Sequence, residues 1–197
     1  MTLNEDKNKI KCGLYIVSTP IGNLRDITLR ALDVLKNSDV ILCEDTRVSK
    51  KLLSHYEIHK NLISNYKFNE RKNLEKIINI LNKNRIVSLI SDAGTPTISD
   101  PGRLLIGKCI KENILIVPIP GPSAITASIS ISNFSDQFYF HGFLSDKLNS
   151  IRKEFGMFKN LNCSIIFFIS AQKLKKQFEL LKEFFFEREI LICREIT

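Results

Sequence analysis

The sequence predicts an α/β fold in two domains, each built on a parallel sheet. Three observations carry that expectation. Short β-branched strands alternate with amphipathic helical stretches, the pattern of parallel strands joined by crossover helices. Four apolar strands run directly into loops rich in glycine, proline or acid. The composition also shifts part-way, since all six prolines lie between Pro20 and Pro122, whereas twelve of the thirteen phenylalanines lie between Phe134 and Phe186. That shift puts a boundary near residues 120–125. It gives a polar N-terminal extension over 1–12, a first α/β domain over 13–120 and a second over 121–197.

The elements follow in order. The strand Gly13–Ser18 leads into Thr19-Pro20-Ile21-Gly22-Asn23. Thr28 then caps a helix with Leu29, Leu32 and Leu35 on one face, which ends in Lys36-Asn37-Ser38. The strand Asp39–Cys43 leads into Glu44-Asp45-Thr46-Arg47. Asn69 caps a helix whose Leu74, Ile77, Ile78 and Leu81 form an apolar stripe, with Glu70, Arg71, Lys72, Glu75 and Lys76 on a solvated face. The strand Arg85–Ile90 enters the segment Ser91–Gly102. Within it Asp100-Pro101 fits an N-cap followed by proline at the first helical position, starting a helix through Lys111. The strand Ile114–Ile119 ends in Pro120-Gly121-Pro122-Ser123-Ala124. The second domain alternates again: strand Phe138–His141, helix Lys147–Lys159, strand Cys163–Ile169, helix Ala171–Glu183, strand Glu187–Arg194. Its phenylalanines fall in strands and on apolar helix faces, as core residues do.

Composition narrows the function class. With 44% hydrophobic and 25% charged residues the chain reads as an ordinary globular protein. A net charge of +8 favours a polyanionic partner such as nucleic acid, although the lysine, isoleucine and asparagine of an A+T-biased genome would supply part of that charge. Met1–Lys11 has no apolar core of a signal peptide, and the runs Cys163–Ile169 and Phe184–Phe186 are too short to span a bilayer. Cys12, Cys43, Cys109, Cys163 and Cys193 are scattered, without C-x-x-C spacing and without ligand spacing to His55, His59 or His141. They read as free thiols of a reducing cytosol, so the expectation is a cytoplasmic protein with no metal and no membrane association.

If the first four strands form one parallel sheet, their loops emerge together at its carboxyl edge, where open α/β sheets bind ligands. Two nucleotide motifs fail there. No G-x-G-x-x-G follows the first strand, and the partial P-loop match Gly102-x4-Gly107-Lys108 has Cys109 in place of Ser/Thr and lies inside a helix. The strongest single signal is Ser91–Gly102 (SDAGTPTISDPG), with two Ser-Asp pairs, two prolines and two glycines in twelve residues. Alone it would read as tight turns; three companion loops on the same rim turn it towards binding.

Together, Leu14–Arg47 (LYIVSTPIGNLRDITLRALDVLKNSDVILCEDTR), SDAGTPTISDPG and Pro118–Ala124 (PIPGPSA) closely resemble the ribosomal RNA small subunit methyltransferase I family. The resemblance runs from about Leu14 to Phe143 and more weakly to Thr197. It implies two α/β domains of the tetrapyrrole-methylase type with S-adenosylmethionine in the cleft between them. It implies transfer of a methyl group to the 2′-hydroxyl of a cytidine in the decoding region of 16S ribosomal RNA, acting on the small ribosomal subunit as a homodimer. Pro20 and Gly22 then line the cleft. Asp92, Ala93, Gly94, Thr95 and Pro96 contact the cofactor, and Pro120, Gly121 and Ser123 form the interdomain hinge. Glu44, Asp45, Thr46 and Arg47 match the family's E-D-T-R signature, facing the RNA and the reacting ribose.

Chemistry agrees with that placement. Methyl transfer to a ribose hydroxyl needs positioning and a group to take the proton. Glu44 or Asp45 suits the second task, and Arg47 suits a phosphate. Asp45 has an equally good alternative as the cap of a helix starting near Thr46, with Arg47 as its ion-pair partner. Arg25, Arg30, Lys50 and Lys51 are the candidate phosphate contacts, each also readable as a solvated surface charge. Two departures from the family stand out. Its Tyr-Glu-Ser-x-His-Arg stretch is replaced by Phe168-Ile169-Ser170-Ala171-Gln172-Lys173, where Lys173 partly restores a cation. Family members also continue past Arg194-Glu195-Ile196-Thr197, so the second domain is expected to be incomplete, in a truncated product or a minimal version stabilised by dimerisation. Two further readings stay open: a methylase of a small tetrapyrrole-like substrate, and an inactive RNA-binding relic.

Overall fold

The computed structural model describes residues 10–197; most of the extension expected over 1–12 therefore lies outside the described residues. The chain divides into two compact units, one ending at Ala124 and the other spanning Ile125–Ile196. Among the described residues no helix is long and apolar enough to cross a membrane.

The first unit follows the order β1 (Gly13–Val17), α1 (Leu29–Asn37), β2 (Val40–Cys43), α2 (Thr46–His55), β3 (Asn61–Ser64), α3 (Glu70–Leu81), β4 (Ile86–Leu89), α4 (Arg103–Lys111) and β5 (Ile116–Ile119). The five strands form one sheet in the order β3-β2-β4-β1-β5. Every pairing is parallel, with Leu14 opposite both Val87 and Ile116, Leu42 opposite Leu89, and Cys43 opposite Ser64. All five carboxyl ends therefore share one edge, adding the loop after β3 to the four read from the sequence.

Both faces of this sheet are covered, which is why β1 and β2 are buried along their whole length. Tyr15, Val17, Ile41 and Cys43 pack against Ala31, Val34 and Leu35 of α1 and Leu53 of α2. On the opposite face Leu14, Ile16, Leu42, Val87 and Leu89 meet Ile77, Ile78 and Leu81 of α3 with Leu105 and Cys109 of α4. Thr28 caps α1 as expected, its Oγ1 accepting from the Ala31 amide at 3.1 Å. Leu29, however, is 82% exposed. It precedes Ala31 by two positions, about 200° around the helix, and so faces away from the sheet.

The joint between α3 and α4 differs more. Asn69 holds the N-cap position of α3 without bonding its amides. Its side chain instead accepts from the Tyr66 amide at 2.7 Å and donates to the Ser64 carbonyl at 3.0 Å, folding the preceding turn. Asp100-Pro101 does not start α4. Gly102 stands at the N-cap with φ +123°, a conformation that favours glycine, and Arg103 is the first helical residue. The free amides at that end are taken by Glu70, whose Oε1 accepts from Leu104 at 3.0 Å and Leu105 at 3.3 Å. Glu70 is therefore buried, not part of the solvated face of α3. Gly107 and Lys108 lie inside α4, where Lys108 pairs with Glu75 and Glu112.

After α5 (Ala124–Ser132) the second unit contains β6 (Phe138–Phe143), α6 (Leu148–Phe158), β7 (Ser164–Phe168) and α7 (Ala171–Phe185). β6 and β7 pair in parallel, with Tyr139 opposite Ile165. Ile151, Phe155, Phe158, Leu180, Leu181 and Phe185 form the core beside them. The strand expected over Glu187–Arg194 is not formed: the segment joins neither sheet, and the sheet of the second unit consists of β6 and β7. Arg188 fixes its start by donating to the carbonyls of Lys159, Leu161 and Cys163.

Candidate active site at the carboxyl edge of the sheet

Three loops are tied into one rim. After β1, Thr19 exchanges two backbone hydrogen bonds with Gly94 of the β4 loop, at 2.9 and 3.0 Å, and its hydroxyl donates to the Ser91 carbonyl at 3.1 Å. Ser18 and Thr95 share a hydroxyl–hydroxyl bond of 2.9 Å, and Thr95 also donates to the Pro122 carbonyl of the β5 loop at 3.3 Å. Gly94 adopts φ +80° at this crossing. A Cβ on Gly121 would stand 2.9 Å from the Ser18 side chain, so the main chain passes there at a distance only glycine tolerates. Pro20, Gly94 and Pro96 are buried within the rim, while Asp92, Ala93, Pro120 and Gly121 are exposed along it and Ser123 is half-buried.

The acidic side lies where the sheet's connections diverge. β2 leads outward to β3 on one side and β4 leads to β5 on the other, which opens a crevice between the ends of β2 and β4. A cavity of about 470 Å³ there is lined by Glu44, Asp45, Thr46, Arg47, Ser64, Tyr66 and Asp92. The Asp45 amide donates to Asp92 Oδ1 at 3.2 Å, joining the two loops, and Ser64 Oγ donates to the Glu44 carbonyl at 3.3 Å.

The two carboxylates of the E-D pair are in opposite states. Asp45 caps α2, accepting from the Arg47 amide at 2.8 Å, and grips the Arg47 guanidinium with Nη2 at 2.6 Å from Oδ2. Hydrogen bonding to Arg47 holds its carboxyl down at about 2. An acid that is ionised and doubly engaged is a weak proton acceptor. Glu44 is half-buried, and no hydrogen bond or ion pair to its carboxylate is present among the described residues. Burial pushes its carboxyl up, and the negative charges of Asp100, Asp92 and Asp45 push it further. Asp100 is raised in the same way, by burial and then by Asp92. The result is a cluster of carboxylates, Glu44, Asp45, Asp92 and Asp100, that act on one another electrostatically.

The candidate phosphate contacts do not gather here. Lys50 lines a separate cavity of about 390 Å³ with His59 and Lys60, and Lys51 is exposed on α2. Arg25 is exposed on a short 3₁₀ turn, Leu24–Asp26. Arg30 acts electrostatically on Tyr15, whose hydroxyl bonds back to the Lys11 carbonyl at the other end of β1. Ser64, Tyr66, Ser18 and Thr19 join the site without having been singled out in the sequence. Ser64 and Tyr66 went unseen because β3 carries no run of β-branched residues to announce it.

Residues 13–197 match the family of Tetrapyrrole (Corrin/Porphyrin) Methylases. A ribosomal RNA small subunit methyltransferase I of Mesomycoplasma conjunctivae is 48% identical over 93% of this chain and 78% of its own length. The corresponding protein of Rickettsia prowazekii is 47% identical over 95% of this chain and 68% of its own length. The chain belongs to the ribosomal RNA small subunit methyltransferase I family. Its fold is that of the tetrapyrrole methylases: uroporphyrin-III-C-methyltransferase from Thermus thermophilus superposes with a TM-score of 0.59 at 19% identity, over 87% of this chain and 74% of that one. Within this family member the cation at the altered Ser170–Lys173 stretch is already engaged, since Lys173 pairs with Asp146.

Proposed function

We propose that this family member transfers a methyl group from S-adenosylmethionine to the ribose 2′-hydroxyl of a cytidine in 16S ribosomal RNA, within the small ribosomal subunit. One observation carries the reading. A chain 47–48% identical to proteins named ribosomal RNA small subunit methyltransferase I keeps a carboxylate, Glu44, unpaired among the described residues, in a cavity at the sheet's carboxyl edge that Arg47 also lines.

The residues present fit the cofactor. The rim of the β1, β4 and β5 loops exposes Asp92, Ala93, Pro120 and Gly121, and it is the surface that would hold the amino-acid part. The carboxylate cluster of Glu44, Asp92 and Asp100 suits a cation. When bound, S-adenosylmethionine supplies an electrophilic methyl group on a positively charged sulfur. Glu44 accepts the hydroxyl proton on a carboxylate whose raised affinity for protons matches that task. Arg47, held by Asp45 yet 86% exposed at its side chain, has donors left for an RNA phosphate.

The test pairs binding with turnover. Calorimetric titration with S-adenosylhomocysteine and methyl transfer to small ribosomal subunits are measured for the wild type and Glu44→Gln. The expected result is unchanged cofactor affinity with turnover lower by about 10²–10⁴-fold, the range of a positioned general base. Wild-type turnover should rise with pH through a value above that of an ordinary glutamate, because the ionised form is the base. Glu44→Gln turning over like the wild type would remove the assigned role.

A further inference from the structure

The turn between β3 and α3 carries Phe68, the one phenylalanine outside the segment 134–186. It is 86% exposed, whereas phenylalanine is among the residues most often buried. Tyr66, 39% exposed, lines the acidic cavity, and its ring meets that of Phe68 edge-on with centroids 6.2 Å apart. Neither ring belongs to either hydrophobic core of the first unit.

We propose that Tyr66 and Phe68 are a stacking platform for an unpaired base of the RNA strand, beside the cavity where its ribose reacts. This rests on the proposed function above and adds the residues that would recognise a single-stranded nucleotide.

Three features separate the pair from an incidental exposed patch. The turn is fixed before any ligand arrives. Asn69 accepts from the Tyr66 amide, the Asn69 and Glu70 amides donate to the Tyr66 carbonyl at 3.0 and 2.9 Å, and Asn69 and Asn73 both donate to the Ser64 carbonyl. A preorganised aromatic loses little freedom on binding. Its charge surroundings suit a nucleic acid strand, since exposed Lys67 separates the two aromatics in sequence, Arg71 and Lys72 are exposed on the first turn of α3, and Arg47 lines the same cavity as Tyr66. Position is the third feature. Chemistry on a nucleotide requires it to leave the stack, and an extruded base needs a replacement partner close to the reacting sugar. Tyr66 belongs to the cavity wall that also holds Glu44, so one nucleotide would reach both.

The experiment uses the full chain and a short fluorescein-labelled oligocytidine, followed by fluorescence anisotropy, for the wild type, Phe68→Ala, Phe68→Trp, Phe68→Leu and Tyr66→Ala. Phe68→Ala should weaken binding by about 5- to 150-fold, the equivalent of one base–aromatic stack, with S-adenosylhomocysteine affinity unchanged. Phe68→Trp should bind at least as tightly as the wild type, whereas Phe68→Leu should behave like the alanine variant, because a flat ring and not apolar bulk is required. Equal binding by wild type and Phe68→Ala, full binding by Phe68→Leu, or no binding by the wild type would overturn the proposal. Methyl transfer to small subunits by both wild type and Phe68→Ala at the same rate would remove the platform and leave the enzyme reading standing. Phe68-dependent RNA binding by a chain that transfers no methyl group would do the reverse.

Discussion

Replacing Glu70 with alanine removes a buried carboxylate oxygen that serves two backbone amides, those of Leu104 and Leu105 at 3.0 and 3.3 Å. Leu105 is wholly buried, so its amide has no route to water once the carboxylate is gone. A hydrogen bond to a charged group contributes about 1.5–3 kcal/mol, and an orphaned buried donor costs about 1–3 kcal/mol. The carboxylate also faces the positive end of α4, a term of about 0.3–2 kcal/mol. These overlap, and we expect Glu70→Ala to lose about 2–4 kcal/mol. For a chain of this length that lowers the thermal midpoint by about 5–15 °C. Glu70→Gln keeps an acceptor at the same oxygen and loses only the charge, so its loss should be about 1 kcal/mol. The assay is urea unfolding followed by circular dichroism, with hydrogen exchange at the Leu104 and Leu105 amides. A loss below about 0.5 kcal/mol for Glu70→Ala, with both amides as protected as in the wild type, would refute the reasoning.

Two further outcomes are expected within the first unit. The Asp45 carboxyl is held at about 2 against an ordinary 3.8, so the stability it confers is present above pH ~4 and is lost as pH falls towards 2; Asp45→Asn, which can still cap α2, should show a flatter fall in thermal midpoint over that window, and identical slopes would contradict the assignment. Asn65 is wholly buried and both its side-chain amide atoms lack hydrogen-bond partners among the described residues, so Asn65→Leu should raise stability by about 1–2 kcal/mol in urea unfolding, and a loss instead would contradict that reading.

The parts of the fold legible in the sequence were those with strong local chemistry. Thr28 before a helical pattern, apolar runs ending in Pro20-Ile21-Gly22 or Ser91-Asp92, and the E-D-T-R loop each declare themselves within a few residues. The four loops did converge on one edge, because their strands are parallel neighbours in one sheet. What stayed hidden was tertiary. Asn61–Ser64 is a strand because it pairs with β2 at the sheet's border, and its four residues hold only two large apolar side chains. Glu70 has the charge pattern of a surface residue, and only the approach of α4 makes it a buried cap. Asp100-Pro101 has the form of a helix start, yet the loop continues to Gly102, leaving Asp100 half-buried in the acidic cluster. For Asp45 the sequence allowed either a cap or a base, and its hydrogen bond from the Arg47 amide shows the cap. Glu187–Arg194 has the composition of a strand, yet it pairs with neither β6 nor β7.

The most direct test of the proposed activity is where the methyl group goes. Small ribosomal subunits are incubated with the enzyme and S-adenosylmethionine carrying a tritiated methyl group, and the RNA is digested with alkali. Alkaline cleavage uses the 2′-oxygen as its nucleophile, so a 2′-O-methyl group protects the adjoining phosphodiester. The label is predicted to appear in an alkali-resistant dinucleotide that begins with cytidine. Label released in mononucleotides would place the methyl group on a base and contradict the ribose assignment; no label in the RNA would contradict the enzyme itself.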